Sequence, residues 1–339
     1  MESNKNILFK HYVSIDWSIK DISVARIRSE GNEPIVKSFP SDIKKIKEYL
    51  GQLRGKKILT IEETTGSHWL YVELLESVDK LIICDPYRNS LLSEGPKNDK
   101  IDARKLCLLL RSGLLKEVYH TSNEDYKIRK LTSAYIALVK FGVRIKNQNS
   151  ALYRGVGLKY KKDKIKKQEE LLCFVEAQQK RSISLYEEEK AKYEKLFKEL
   201  KRKNEIIKML CGVSGIKEVS AVKIYSVVID AGRFENKYKY WAMCGLVKQD
   251  RESGGKNYGK KNPRYSRILK NVYRSATLAA IGGNNDIREY YESLLQKGYS
   301  IKDAKNQIAR YIAKVTYAIM KNKQPYRAYQ FRGNKKQTA

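Results

Sequence analysis

The 339-residue sequence predicts a mixed α/β N-terminal domain, a helical middle and a mainly helical C-terminal domain. Three observations carry this. Between His11 and Cys84, short apolar segments alternate with helical ones, the pattern of a mixed sheet covered by helices. From residue 122 to 210, apolar residues recur at alternating steps of three and four. After residue 211, glycine-punctuated turns separate further amphipathic stretches.

Taken in order, His11–Trp17 reads as a strand and Ile22–Arg28 alternates apolar and polar residues, with Gly31-Asn32 turning the chain toward the next strand. Pro40-Ser41-Asp42 offers an N-cap for a helix through Leu53. Lys57–Ile61 is another strand, followed by a helix carrying Trp69, Leu70, Val72 and Leu75. Leu81–Cys84 is a short, fully apolar strand of the buried kind, and a helix from Asp99 to Arg111 closes the unit.

In the middle region, Ser122 with Asp125 has the spacing of a capping box. Ile128, Leu131, Tyr135, Leu138, Gly142, Ile145, Asn149 and Leu152 form one heptad seam. Tyr186, Glu189, Tyr193, Leu196, Leu200, Lys203, Ile207 and Leu210 form a second. Gly155 and Gly157 separate them, so the stretch is either an antiparallel coiled-coil hairpin that also offers a dimer seam, or an ordinary helical bundle. Beyond it come the turn Gly212–Ile216, a helix from Val219 to Ala231, the stretch Phe234–Leu246, a loop from Val247 to Tyr265 and two or three final helices. The last of these carries Ile301, Ala304, Ile308, Ile312, Val315 and Ile319 on one face. The domains are therefore expected at 1–120, 121–210 and 211–339, the last with a basic tail.

Lys and Arg number 69 against 38 Asp and Glu, a net charge of +31. That excess points to a polyanionic partner, nucleic acid ahead of an anionic membrane surface. With 42% hydrophobic residues the chain folds and is not a basic disordered tail. The N-terminus has no apolar segment of the signal-peptide kind, and no apolar run reaches the length of a membrane span. The five cysteines form no CxxC pair, which argues against a zinc site or disulfide framework and for a reducing cytoplasmic setting. Only three histidines are present, His11, His68 and His120, so a metal site would be built from carboxylates.

Four carboxylates stand out. Asp16 ends an apolar strand, where an acidic side chain is costly to desolvate unless paired or bound to a cation. Glu63 follows the Lys57–Ile61 strand, and Asp99 and Asp102 share one face at a helix start. Singly, each is also explained as a cap, a dipole partner or a solvated strand edge. Together they suit Mg²⁺ or Mn²⁺ and two-metal phosphodiester chemistry. A second constellation surrounds Ser253 in Glu252-Ser253-Gly254-Gly255-Lys256. The 27 residues from Lys248 to Arg274 hold nine basic and two acidic residues, with Tyr258 and Tyr265 interleaved. This suits a DNA-phosphate site with Ser253 as a possible nucleophile, although a flexible turn on a basic surface explains the same residues.

These residues together resemble the DEDD transposases of the IS-one-ten class of insertion sequences, relatives of the Piv and MooV invertases. The strand ending Ile15-Asp16-Trp17 is similar to the first acidic motif of that family. Glu63-Thr64-Thr65-Gly66 is similar to its E-x-T-G, which selects Glu63 over Glu62, and Asp85-Pro86 follows as in the family. Lys97-Asn98-Asp99-Lys100-Ile101-Asp102-Ala103 resembles K-[ST]-D-x-x-D-A, with Asn98 in place of the usual Ser or Thr. Ser214–Ala221 resembles P-G-I-G-x-x-x-A, a helix-hairpin-helix-like DNA-backbone element, with Ser214 and Lys217 replacing the proline and second glycine. Phe234 and Gly245-Leu246 match later landmarks, and Ser253-Gly254 aligns with the end of the family's S-S-G. Downstream, K-x-G-N is altered to Lys260-Lys261-Asn262-Pro263, while Arg264 and Arg267 match.

The resemblance implies an RNase H-like (RuvC-like) N-terminal domain, a coiled-coil connector and a C-terminal transposase domain. It implies Mg²⁺ or Mn²⁺ on Asp16, Glu63, Asp99 and Asp102, and Ser253 attacking DNA to form a phosphoserine. That linkage conserves the phosphodiester energy, in keeping with the absence of a GxxxxGK[ST] phosphate loop from the sequence. Lys256, Lys260, Lys261, Arg264 and Arg267 are the expected nucleic-acid contacts. The implied partners are target and donor DNA, a noncoding bridge RNA and further copies of the chain, as a dimer or dimer of dimers, in the prokaryotic cytoplasm on the nucleoid. Two rivals stand beside this: a junction resolvase of the RuvC or RNase H kind using water as nucleophile, and a non-catalytic RNA-binding protein.

Overall fold

The computed structural model describes residues 9–86, 98–121, 123–166 and 168–328. Lys97 of the acidic motif, Ser122 of the expected capping box and the end of the basic tail lie outside these residues. The chain divides into two compact units, 1–123 and 124–339.

The first unit is built on a five-stranded sheet of order β3-β2-β1-β4-β5. Strands β1 (His11–Trp17), β2 (Asp21–Arg28) and β3 (Ile35–Pro40) form an antiparallel meander. Strands β4 (Lys57–Glu62) and β5 (Lys80–Cys84) then join parallel to β1. A mixed α/β domain on such a sheet is consistent with the RNase H-like arrangement. Alternation along β1 sends Val13 and Ile15 to one face, where they pack with Leu59 and Ile61 of β4. Helices α1 (Ile43–Gln52) and α2 (Ser67–Leu74) cover that face with Ile46, Leu50, Leu70 and Leu74. Asp42 caps α1 by accepting from the Lys44 N–H. The opposite face is covered by α3 (Asp99–Arg111), whose Ala103 and Cys107 pack against Ala25 and Ile27. Burial pushes the Cys107 thiol up to about 12, so it serves as a small core residue and not as a nucleophile.

In the second unit, α4 (Asn123–Gly155) and α5 (Glu170–Lys203) lie antiparallel against each other. The Tyr135 ring meets Tyr193 and Phe197 at 5.9 and 5.0 Å, while further along the pair Tyr153 hydrogen-bonds Glu176. All eight expected seam positions on α4 are buried or half-buried. On α5 the expected seam is corrected. Phe197 is buried and Leu196 is 43% exposed, because Tyr186 to Phe197 spans eleven residues, the three-turn repeat of an untwisted helix and not a heptad step. The helix also stops at Lys203, where Asn204 caps the separate α6 (Glu205–Leu210).

The rest of this unit packs α7 (Glu218–Val228), α8 (Lys237–Met243), α9 (Arg267–Ile281), α10 (Asp286–Gln296) and α11 (Ile301–Asn322) around one core. Helix α7 is shorter than expected because Ile229 takes a positive φ of 55°. On α11, Ala304, Ile308, Ile312 and Ile319 are buried, whereas Ile301, in the first turn, is 62% exposed. The expected loop 247–265 instead contains a two-stranded hairpin, β6 (Gln249–Ser253) and β7 (Lys256–Lys261). Gly254 and Gly255 take φ of 56° and 74°, and two successive positive φ values are what a tight hairpin turn requires.

Candidate active site and nucleic-acid interface

Two hydrogen bonds fix how α3 lies on the sheet. Cys107 Sγ donates to the Tyr12 carbonyl at 3.3 Å, and Ser14 Oγ donates to the Ala103 carbonyl at 2.5 Å. As β1 advances by two residues, its partner steps back by four, so α3 runs antiparallel to β1. Two strand residues and four helix residues both cover about 6 Å. One further step brings Asp16, on the same strand face as Ser14, level with the first turn of α3, where Asp99 and Asp102 lie. Asn98 caps that turn by accepting from the Lys100 N–H at 2.9 Å. Asn does here what Ser or Thr would do, so the departure from the motif preserves the helix start.

Strand pairing adds a carboxylate from β4. The parallel register places Ile61 beside Ile15, so Glu62 falls next to Asp16 in the sheet and on its α3-facing side. Glu63 lies one residue beyond β4, exposed, with its N–H donating to the Cys84 carbonyl at 3.0 Å. The register therefore brings Asp16, Asp99, Asp102 and Glu62 to one end of the sheet on its α3 side, with Glu63 one residue further along the chain. Among the described residues, however, no three Asp, Glu, His or Cys side chains converge closely enough to hold a metal ion.

In the second unit, Ser253 is the last residue of β6 and pairs with Lys256 across the Gly254-Gly255 turn. The whole hairpin is exposed, including Lys256, Lys260 and Lys261. Lys260 lies 3.7 Å from Asp250 on the neighbouring strand. Arg264 and Arg267, both exposed, follow at the entry to α9, whose N-cap Ser266 accepts from the Leu269 N–H. The base of the hairpin is anchored at Gly245, where an added Cβ would sit 2.6 Å from the Tyr265 ring. Ser253 is thus presented at the tip of a basic ribbon on a fixed base, and its backbone neighbours are free to approach a phosphate.

A family model for DEDD transposases of the IS110 type matches residues 13–156. A second, described as "Transposase IS116/IS110/IS902 family", matches residues 207–292. The chain belongs to the IS110 family of transposases. No curated protein matches it. The first match contains Asp16, Glu63, Asp99 and Asp102, and the second contains the Ser253 hairpin. An IS110-family transposase acts on DNA. No helix of the described residues is long and apolar enough to cross a membrane.

Proposed function

We propose that this IS110-family transposase excises and inserts a DNA element through a covalent serine intermediate. Ser253 Oγ attacks phosphorus, the bond from phosphorus to one sugar oxygen breaks, and that oxygen departs with a proton. The reverse attack by a sugar hydroxyl reseals the strand and frees the serine. The observation that carries this reading is the placement of Ser253 at the exposed tip of a basic hairpin inside the transposase match. All three histidines fall in the first unit, so the serine proton is not taken by a histidine of Ser253's own unit.

The donor set Asp16, Glu63, Asp99 and Asp102 is all oxygen, which fits a hard divalent cation such as Mg²⁺ or Mn²⁺. When bound, such an ion would offset negative charge on the phosphate undergoing exchange. The antiparallel docking of α3 on β1 supports that assignment, since it holds Asp16 alongside the helix that carries Asp99 and Asp102. Lys256, Lys260, Lys261, Arg264 and Arg267 hold the DNA backbone. A bridge RNA pairing with target and donor DNA is what the family resemblance implies; the charge of +31 suits RNA and DNA together and suits DNA alone equally. The apolar residues left exposed on α5, Leu171, Phe174 and Leu185, support a coiled-coil dimer or dimer of dimers.

The test is to express the gene with its native flanking noncoding DNA and look for a protein–DNA adduct. A Mg²⁺-dependent adduct mapping to Ser253, lost in Ser253→Ala and in Asp102→Asn while RNA stays bound, is the expected result. Cleavage without an adduct, unchanged in Ser253→Ala, would overturn the serine mechanism in favour of a nuclease that uses water.

A further inference from the structure

The second unit holds a cavity of about 880 Å³ bounded by α8, α9, α11 and the base of the serine hairpin. None of the nucleic-acid contacts expected from sequence explains it, apart from Lys260 at its rim. Its walls are basic in a way the linear sequence conceals. Lys270 and Arg274 stand one turn apart on α9, and Lys302 and Lys305 stand one turn apart on α11. Among the described residues, no carboxylate lies within ion-pair distance of these four. The acidic residue on the wall, Asp303, is engaged at the start of α11, where its carboxylate accepts from Ser300 Oγ at 2.7 Å. A concave surface with an excess of positive charge, here these four cations against one carboxylate, focuses field toward an anion.

The fourth wall is aromatic. Tyr238 and Trp241 meet edge to face at 5.3 Å, and the Lys237 ammonium lies 5.1 and 5.8 Å from their ring centres. The helix start and the Trp241 ring are held in place. Asn236 caps α8 by accepting from the Tyr238 and Lys239 N–H groups. The Trp241 indole N–H donates to the Arg310 carbonyl at 3.0 Å, and the Arg310 guanidinium donates to the Leu246 carbonyl at 2.9 Å. Tyr238 nevertheless stays 61% exposed. Lys270 lies over the Tyr265 ring at 4.3 Å, while Arg274, Lys302 and Lys305 have no carboxylate within ion-pair distance among the described residues, and an exposed ring beside such cations is the arrangement that binds bases by stacking and the backbone by charge. A duplex keeps its bases stacked on one another and offers none to such a ring.

We propose that this groove binds one unpaired strand of nucleic acid, with a base stacked on Tyr238 and its phosphates on Lys270, Arg274, Lys302 and Lys305. The proposal does not depend on Ser253 being the nucleophile. A strand opened beside the hairpin, or an unpaired segment of a guide RNA, presents the same chemistry to the groove.

The test uses the full chain and fluorescence anisotropy with labelled twelve-nucleotide oligo-dT, oligo-rU and a duplex of the same length, titrated across salt. In the triple variant Arg274→Gln, Lys302→Gln, Lys305→Gln, the slope of log affinity against log salt for the single strands is expected to fall by about 2. Tyr238→Ala is expected to weaken single-strand binding about tenfold or more without changing that slope, and Tyr238→Phe to restore it. A control triple, Lys195→Gln, Lys198→Gln, Arg202→Gln, removes the same charge from exposed positions on α5. Tighter binding of oligo-dT assigns the strand to DNA, and tighter binding of oligo-rU assigns it to RNA. The proposal is overturned if the groove triple behaves like the α5 triple, if duplex binding falls as much as single-strand binding, or if Tyr238→Ala binds as wild type.

Discussion

Replacing Gly142 by alanine sets two well-defined effects against each other. In an exposed helix interior, Gly→Ala stabilises by about 0.5–1 kcal/mol because alanine loses less backbone freedom on folding. Gly142 is not exposed. A Cβ built there lies 2.3–2.4 Å from three atoms of the Tyr186 ring, far inside contact distance. That ring is 5% exposed, and the Lys146 ammonium sits over it at 5.0 Å, so it has little room to retreat. Overpacking of this kind costs about 1–3 kcal/mol. The clash wins, and Gly142→Ala is expected to destabilise the second unit by about 1–2 kcal/mol, a fall in Tm of about 2–8 °C. The decisive assay is a double-mutant cycle by urea unfolding. Tyr186→Ala alone is expected to cost about 3–5 kcal/mol. In that background the ring is gone, and Gly142→Ala is expected to be neutral or stabilising by up to about 1 kcal/mol. An increase in stability for Gly142→Ala in the wild-type background would refute the reasoning, because propensity alone would then govern the site.

Three further perturbations follow from the same geometry. Burial, and after it the charges of Arg26, Lys10 and Arg28, hold the His11 pKa below its ordinary value, while a bond to the Arg54 carbonyl opposes them. The unfolded chain therefore takes up a proton on this residue before the folded one does, so stability of the first unit is present above about pH 6.5 and falls as pH drops below it. His11→Gln should flatten that part of a stability–pH profile, and an unchanged profile would exclude His11 as its source. Gly215→Ala combines a positive φ of 85° with a Cβ only 2.2 Å from the Ala276 carbonyl oxygen, a backbone atom. It should cost more than Gly142→Ala, about 2–5 kcal/mol by urea midpoint, and equal costs would argue that the turn relaxes freely. Glu63→Gln is expected to abolish adduct formation, with Glu62→Gln reducing it less than tenfold. The opposite ranking would move the second carboxylate to the last residue of β4, level with Asp16.

Much of the first unit is legible because its strands are buried. Val13, Ile15, Leu59 and Ile61 must leave water together, and that requirement writes period-two patterning into the sequence. The same principle explains why α5 departs from a heptad seam. Leu196 continues a heptad count, yet a straight helix drifts from that count, and Phe197 takes the buried position. Gly142 reads in one dimension as an interruption of the seam, but it is the gap that admits the Tyr186 ring from the other helix. The hairpin was not legible as strands because every residue of β6 and β7 is exposed, so burial imposes no alternation on it. Its only local signal is Gly254-Gly255, whose meaning as a turn depends on pairing that the sequence does not record.

The basic residues illustrate how far one-dimensional counting reaches. From Lys248 to Arg274 the sequence holds nine cations and reads as a single charged stretch. In the folded unit that stretch has two different fates. Lys256 and Lys261 lie on the exposed ribbon that carries Ser253, where they can meet any phosphate backbone. Lys270 and Arg274 leave the ribbon and line a groove, whose opposite wall is supplied by Lys302 and Lys305 from a helix that begins at Ile301. Neither pair alone is more than a solvated helix face. Only the packing of α9 against α11, driven by buried residues such as Tyr273 and Thr316 that hydrogen-bond at 2.7 Å, turns two faces into one concave site. An apolar and aromatic core thus decides how the charges of these two helices are arranged in space, and that information is carried by buried residues and not by the charged ones.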